Sequence, residues 1–319
     1  MAPDLPLDLK AAIDAAVHGR SNKEIARRAA ILSANYRAGG GSQGIADPDD
    51  ALAYAIVRLP ATYAAVTAVF DAIIALRPDF MPRTLIDFGA GPGTASWAAA
   101  QQWPAIGQFM LVDRNTHLRD LATQLVAASA MPALRAAAMA QTVTGIADLV
   151  IAAYVVGEVD TSELPQLIER LLASTADTLV LVEPGTPVGF ARIAALRQYL
   201  IAQGVSVLAP CPHDGPCPIV APDWCHFCRR LPRSPRHRQI KGELSFEDEK
   251  FSYVVLTRDK ATRARARVLS PPHVSKAGVR TRLCTAEGIV TANAARRDRD
   301  TYCRHKALRW GDAVPWPGK

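Results

Sequence analysis

Four short runs do most to constrain this chain: TLIDF at 84–88, FMLVD at 109–113, DLVIAAY at 148–154 and TLVLVE at 178–183. Each is nearly unbroken in hydrophobicity and bounded by polar or turn-forming residues. A strand with one wet face alternates apolar and polar residues, whereas a strand covered on both faces does not. Segments of helical length and spacing fill the intervals. The pattern predicts an α/β fold, a doubly wound and largely parallel sheet flanked by helices. At 319 residues, 49% of them hydrophobic, the chain is long enough for one large core and an appendage. No uninterrupted apolar run reaches the roughly 18 residues that a membrane span needs, so no membrane partner is expected.

The flanking regions read differently. Residues 10–80 are Ala-rich and helical, punctuated by RAGGGSQGIADPDD at 37–50. ALAYAIVRL and ATYAAVTAVFDAIIALR, on either side of Pro60, predict two successive helices, the first capped by Asp50 or a neighbouring acid. After the fourth run come a helix around GFARIAALRQYLIAQ, a strand at VSVLAP (205–210) and a last core strand at FSYVVLTR (251–258). Beyond 262 lie RARVLS, VRTRLCT, GIVTANAA and YCRHKALRW, short segments broken by turns. The expected division is an N-terminal helical region at 1–80, a main domain at 81–258 containing a cysteine-rich, basic insertion at 209–250, and a small basic β-rich C-terminal module at 259–319.

The first core run opens into a glycine loop, LIDFGAGPGTASWAA. Glycines let backbone turn sharply against a ligand, and the helix that follows favours anionic or polar groups at its N-terminus. The spacing, Asp87-x-Gly89-x-Gly91-x-Gly93, is not the G-x-G-x-x-G of dinucleotide sites. Asp113 ends the second run, where a carboxylate can accept hydrogen bonds from ribose hydroxyls. This loop resembles motif I of class I S-adenosylmethionine-dependent methyltransferases. The resemblance implies their Rossmann-like sheet, with Asp87, Gly89, Gly91 and Gly93 around the methionine portion of S-adenosylmethionine and Asp113 at its ribose. After the third run, AAYVVGEV lacks the [DN]-P-P-[FY] sequence of amino-group methylation and the Pro-Cys pair of C5 methylation. Tyr154 and Glu158 lie at the ligand edge as packing, capping or functional residues, and no catalytic residue is assigned.

Four of the six cysteines fall between 211 and 228, in CPHDGPCPIVAPDWCHFC, spaced C-x5-C-x7-C-x2-C. Four thiolates suit either a structural zinc ion or an iron–sulfur cluster, and the spacing leaves both open. In a methyltransferase sheet this stretch is the connection between strands six and seven, which emerges at the ligand-bearing edge. Charge is also unevenly distributed. Residues 229–319 hold 22 Lys/Arg against 9 Asp/Glu, whereas residues 1–228 hold 15 against 21. RRLPRSPRHRQIKG at 229–242, with Arg229, Arg230, Arg233, Arg236, Arg238 and Lys241, predicts an extended arm, and RDKATRARARVL at 258–269 adds five cations. Guanidinium-rich extended segments suit phosphate backbones. Without a groove-reading helix motif, structured RNA is expected rather than DNA.

CPHDGPCP, DWCHF, FEDEKFSYVVLTR, RLPATYAA and EPGTPVGF together resemble the methyltransferase-like family of small ribosomal subunit assembly factors of mitochondria and bacteria, over about residues 30–312. That resemblance implies a [4Fe–4S] cluster on Cys211, Cys217, Cys225 and Cys284, with Cys228 as the substitute for Cys284 and no role for Cys303. It implies an assembly factor that binds S-adenosylmethionine, the cluster and the rRNA of the small ribosomal subunit, as a monomer. The alternatives are an active rRNA methyltransferase, and a zinc-stabilised RNA-binding protein with an empty nucleotide pocket. The first twenty residues carry Asp4, Asp8 and Asp14 without a compact apolar stretch, so they resemble neither a secretory signal nor a transit peptide. A cytoplasmic, bacterial-type protein is the expectation.

Overall fold

The computed structural model describes residues 4–37, 40–234, 237–239, 244–260 and 262–315. The chain divides into two compact units. One comprises residues 1–71, 80–182 and 229–249, and the other residues 72–79, 183–228 and 250–319.

The first unit begins with three helices: α1 (Leu7–Val17), α2 (Asn22–Arg37) and α3 (Pro48–Leu76). The expectation of two helices separated at Pro60 is corrected, because α3 runs through that proline. An internal proline costs a helix about 3 kcal/mol through a lost hydrogen bond and a steric clash. Burial on both sides of Pro60, with Leu59, Ala61 and Tyr63 each at most 4% exposed, outweighs that cost. Asp47, not Asp50, caps this helix, its carboxylate accepting the Asp50 N–H at 2.9 Å. By length and composition α3 is the one helix among the described residues able to cross a bilayer. It carries Arg58, which pairs with Glu249 at 3.4 Å.

The sheet of this unit contains β1 (Thr84–Phe88), β2 (Gln108–Val112), β3 (Ala138–Ala140), β4 (Ala147–Ala153) and β5 (Thr175–Pro184). Their order is β3-β2-β1-β4-β5, and every pairing is parallel. The helices α4 (Thr94–Gln102), α5 (Thr116–Ala127), α6 (Pro132–Arg135) and α7 (Leu164–Ala173) connect the strands. Continuous burial of Leu149, Val150, Ile151 and Ala152 on β4 is what unbroken hydrophobicity foretells for a strand covered on both faces.

In the second unit α8 (Pro187–Ala202) leads into β6 (Ser206–Ala209). Three strands straddle the units: β5, whose last two residues belong to the second unit, β7 (Phe227–Pro232) and β8 (Phe246–Thr257). The later part of β8 runs antiparallel to β6. Five parallel strands in the order 3-2-1-4-5, followed by an antiparallel final strand, make this the fold of a class I S-adenosylmethionine-dependent methyltransferase. The remaining strands form a separate antiparallel sheet: β9 (Ala266–Val268), β10 (His273–Val274), β11 (Gly278–Thr285), β12 (Gly288–Ala295) and β13 (Ala313–Val314). Its core is Ala266, Val268, Leu283 and Ala292. YCRHKALRW, expected as a strand-and-turn segment, instead falls largely within α9 (Arg299–Ala307), capped by Asp298.

Candidate functional site

In the first unit the loops after β1 to β4 enclose a pocket of about 350 Å³, within the roughly 300–1,000 Å³ common for small-molecule sites. The carboxyl ends of parallel strands are where such sheets bind ligands. Gly89, Gly91 and Asp113 line it, together with Tyr54, Asn115 and Glu158. Gly89 has φ +63°, and a Cβ there would lie 2.0 Å from Val155 Cγ2, so no other residue fits. Gly93, at φ +81°, forms the turn into α4 with Leu111 packed over it.

The two acids play different parts. Asp87 is 1% exposed and turns toward α4, accepting the Ser96 N–H at 3.1 Å and hydroxyl at 2.8 Å. Burial pushes its carboxyl up to about 7 against these bonds. It therefore holds the glycine loop to its helix and lines only a smaller recess beside Gly91 and Thr94. Asp113 accepts the Gly91 N–H and the Asn115 N–H, each at 2.8 Å. Each carboxylate oxygen has a second lone pair for a ligand hydroxyl. Burial raises its pKa and the two backbone donors oppose the rise.

One wall of this pocket escaped the sequence reading. The glycine-rich segment GGSQGI at 40–45, punctuation in the sequence, is tied down by two distant residues, Glu158 and Asn115. Ser42 N–H donates to Glu158 Oε2 at 2.8 Å, and Asn115 Nδ2 donates to the carbonyls of Ser42 and Ile45. Gly41 packs so closely on Glu158 that a Cβ would sit 3.0 Å from its carboxylate. Tyr154, directly after β4, has φ +62°, the one positive value among the described non-glycine residues. Its hydroxyl donates to Glu249 Oε1 at 2.8 Å, the carboxylate that Arg58 also pairs with.

In the second unit Cys211, Cys217, Cys225 and Cys284 line one cavity. Three come from the connection after β6. The fourth lies on β11, opposite Arg267 of β9 and Ile289 of β12. Burial pushes the thiol of Cys284 up to about 12 and that of Cys225 well above the ordinary range, the other thiols of the cavity adding to both. As free thiols they are neutral, and a bound electrophile is what would deprotonate them. Among the described residues no three His, Cys, Asp or Glu side chains are grouped as a single metal ion requires. The donor set, four sulfurs around one space, nonetheless fits a larger multi-atom centre. Cys228, on β7, and Cys303, exposed on α9, lie outside the cavity lining. The rings of His213 and His226 approach the carbonyls of Gly215 and Trp224.

The basic segments are only partly available to a partner. The expected extended arm is a strand, β7, followed by helical backbone at 237–239, and Arg236 and Lys241 lie outside the described residues. Arg230 is clamped by Asp248 through two bonds of 2.7 Å, and Arg233 binds Glu247. Arg263 pairs with Asp214 at 2.6 Å, and Arg267 is buried. Arg280, Arg296, Arg297, Arg299, Arg304 and Lys306, by contrast, are exposed.

The sequence profile of the family described as mitochondrial small ribosomal subunit Rsm22 matches residues 48–315. The chain belongs to the Rsm22 family. Human "Ribosome assembly protein METTL17, mitochondrial" is 30% identical to this Rsm22-family chain over 288 residues, covering 83% of it and 62% of the human protein. "Rsm22-cox11 tandem protein 2, mitochondrial" of Schizosaccharomyces pombe is 22% identical over 326 residues, covering 84% and 43%. The chain thus spans less than two thirds of either relative. Solved structures that align with it include magnesium protoporphyrin IX methyltransferase from Synechocystis PCC 6803 with bound SAH, at 15% identity and TM-score 0.42 over 64% of this chain and 85% of that one. An O-methyltransferase family protein from Burkholderia thailandensis aligns at 14% identity and TM-score 0.44 over 70% and 62%. Strand order, not these alignments, carries the fold assignment.

Family membership corrects one expectation. Both relatives and the family itself are described as mitochondrial, which overturns the cytoplasmic, bacterial-type location inferred from the first twenty residues. The composition of a short stretch tests for one kind of leader. Family membership rests on residues matched through the fold.

Proposed function

We propose that this Rsm22-family chain is a small ribosomal subunit assembly factor that binds S-adenosylmethionine in the first-unit pocket, carries a [4Fe–4S] cluster on Cys211, Cys217, Cys225 and Cys284, and contacts rRNA. The observation that carries the reading is the meeting of those cysteines at one cavity, Cys284 lying 59 positions beyond Cys225 in the chain. When bound, such a cluster supplies a rigid cross-link and two units of net negative charge. Zinc is the alternative centre, since four thiolates also suit a structural zinc ion. Support for the nucleotide site comes from the glycine loop, Asp113 and the placement of the pocket at the strand ends. For RNA the exposed cations from Arg280 to Lys306 replace the 229–242 segment as the leading surface, since phosphate contacts need unpaired guanidiniums.

The test is direct. Protein purified without air is expected to be brown and to contain iron and acid-labile sulfide in equal amounts, to bind S-adenosylmethionine, and to co-sediment with immature small subunits. Stoichiometric zinc with no sulfide would sink the cluster. A second reading, an rRNA methyltransferase, is favoured by the strained backbone of Tyr154 beside the pocket, because such strain concentrates at functional sites. Methyl transfer from S-adenosylmethionine to immature subunits, lost in Tyr154→Phe, decides for the enzyme; no transfer decides for the scaffold.

A further inference from the structure

The second-unit cavity holds more positive charge than its surroundings balance. Arg197 on α8 and Arg267 on β9 both line it, at 4% and 3% exposure. Guanidinium stays charged in proteins, so each is a buried cation. Their hydrogen bonds to oxygen run to carbonyls, which solvate charge without neutralising it, and Arg197 also bonds the Cys211 thiol. Arg197 Nη2 donates to His213 O at 2.6 Å. Arg267 Nε donates to Pro210 O at 2.9 Å and its Nη1 to Gly311 O at 2.8 Å. Arg197 Nε and Arg267 Nη2 are buried and have no acceptor among the described residues.

Nor does a carboxylate balance them. Asp214, the acid nearest in sequence to the first two thiols, is held by Arg263 at 2.6 Å and by the Val207 N–H at 2.8 Å. Asp223 is taken by Arg282, and Glu183 faces Arg192 at 3.5 Å. Among the described residues neither buried arginine has an acidic partner. A buried charge without a counter-charge is among the costliest features a fold can carry. Besides the Tyr253 phenol, the groups on the cavity able to become negative are the thiols, which a bound metal centre deprotonates.

We infer that Arg197 and Arg267 are the charge-balancing and positioning residues for a doubly negative centre on Cys211, Cys217, Cys225 and Cys284, their unpartnered N–H groups reserved for sulfur acceptors. The inference rests on the cluster reading above and adds to it. Two cations match two net negative charges. Donors without oxygen partners suit sulfur, a weak acceptor that charge makes stronger. Adding one electron makes the centre more negative still, so nearby cations favour the reduced form and raise its midpoint potential.

The experiment uses the full chain, reconstituted without air with ferrous iron and sulfide, then titrated with dithionite while the reduced cluster is followed by electron paramagnetic resonance. Arg197→Gln and Arg267→Gln are each expected to lower the equilibrium constant for reduction at least tenfold, about 59 mV for one electron. Arg267→Lys, which keeps charge but loses the planar fork, should stay near the unaltered midpoint. A purely structural clamp predicts the reverse: both Gln and Lys lose iron, and the residual cluster titrates normally. Stability gives a second readout. With the four cysteines replaced by serine, Arg267→Gln should raise the melting temperature, since it removes a charge with nothing to balance it; a fall would overturn the inference. If the unaltered protein takes up no iron and sulfide, the cluster reading fails and takes this inference with it. Normal uptake with unshifted midpoints in both Gln variants overturns the inference alone.

Discussion

The two pockets of this chain are furnished in opposite ways. In the first unit the acids already have partners, although the Tyr36 hydroxyl on the pocket wall has none among the described residues: Asp87 is satisfied by Ser96, Asp113 by two backbone N–H groups, and Glu158 by Ser42. In the second unit two buried arginines keep donors that no described residue accepts, beside the cavity's four cysteines, of which Cys211, Cys225 and Cys284 have thiols that burial holds neutral. Satisfied polar groups let a site stand without its ligand, whereas unsatisfied buried ones make the ligand part of the fold. The first pocket is therefore a preformed receptor, and the second a site that its occupant completes.

The largest expected effect tests that contrast at its weaker side. Cys225→Ser or Cys284→Ser should abolish the iron chromophore. Amide exchange at 205–228 and 266–295 should then accelerate by about a hundredfold or more while 84–153 holds its protection. Equal acceleration in both regions would mean that the two sites do not differ as argued. Cys303→Ser, outside the cavity, should leave iron content and exchange unchanged.

Next in size is the backbone of the first pocket. Gly89→Ala meets both a left-handed φ and Val155 Cγ2 at 2.0 Å, and should cost roughly 2–4 kcal/mol by denaturant unfolding and abolish S-adenosylmethionine binding. Gly91 has φ +54° but nothing nearer to an added Cβ than Tyr54 at 4.0 Å, so Gly91→Ala should cost only about 1 kcal/mol. Equal costs at the two positions would argue against close packing of the loop on Val155.

A smaller effect depends on pH. Asp87 titrates at about 7 when folded, against an ordinary 3.8, so the folded state holds its proton more tightly than the unfolded chain does. Its contribution is full below about pH 4 and is lost as the pH rises through 7, with a slope of at most about 1.4 kcal/mol per pH unit. Asp87→Asn should flatten stability across that window. An unchanged profile would show that another group sets it. Smallest of all, Arg230→Ala removes an exposed pair with Asp248 and should shift stability by no more than about 0.5 kcal/mol.

Much of the scaffold was legible because burial leaves a local trace. The runs at 84–88, 109–113, 148–154 and 178–183 mark β1, β2, β4 and β5 to within a few residues. Hydrophobic continuity is what double-faced burial demands of adjacent residues, so each strand announces itself. Asp87-x-Gly89-x-Gly91-x-Gly93 likewise placed a turn at the end of β1, since positive φ angles require glycine at these positions. Pro60 misled, because a local rule about helix breakers yields when the residues around it are buried by distant neighbours.

Spacing alone grouped Cys211, Cys217 and Cys225 and offered Cys228 as their companion; Cys284 entered only through family resemblance. Nothing nearby in sequence announces that β11 carries the fourth thiol to the same cavity, that Arg267 reaches Pro210 across 57 positions, or that Ser42 meets Glu158 across 116. Those pairings depend on where chain crossings fall, and a polar side chain looks the same in sequence whether its partner is a carboxylate, a carbonyl or absent. The chain's own pattern determined the layers and the glycine turn. Tertiary structure alone decided which charges are paired and which are buried without a counterpart, because charge balance is a property of a place in the fold rather than of a stretch of residues.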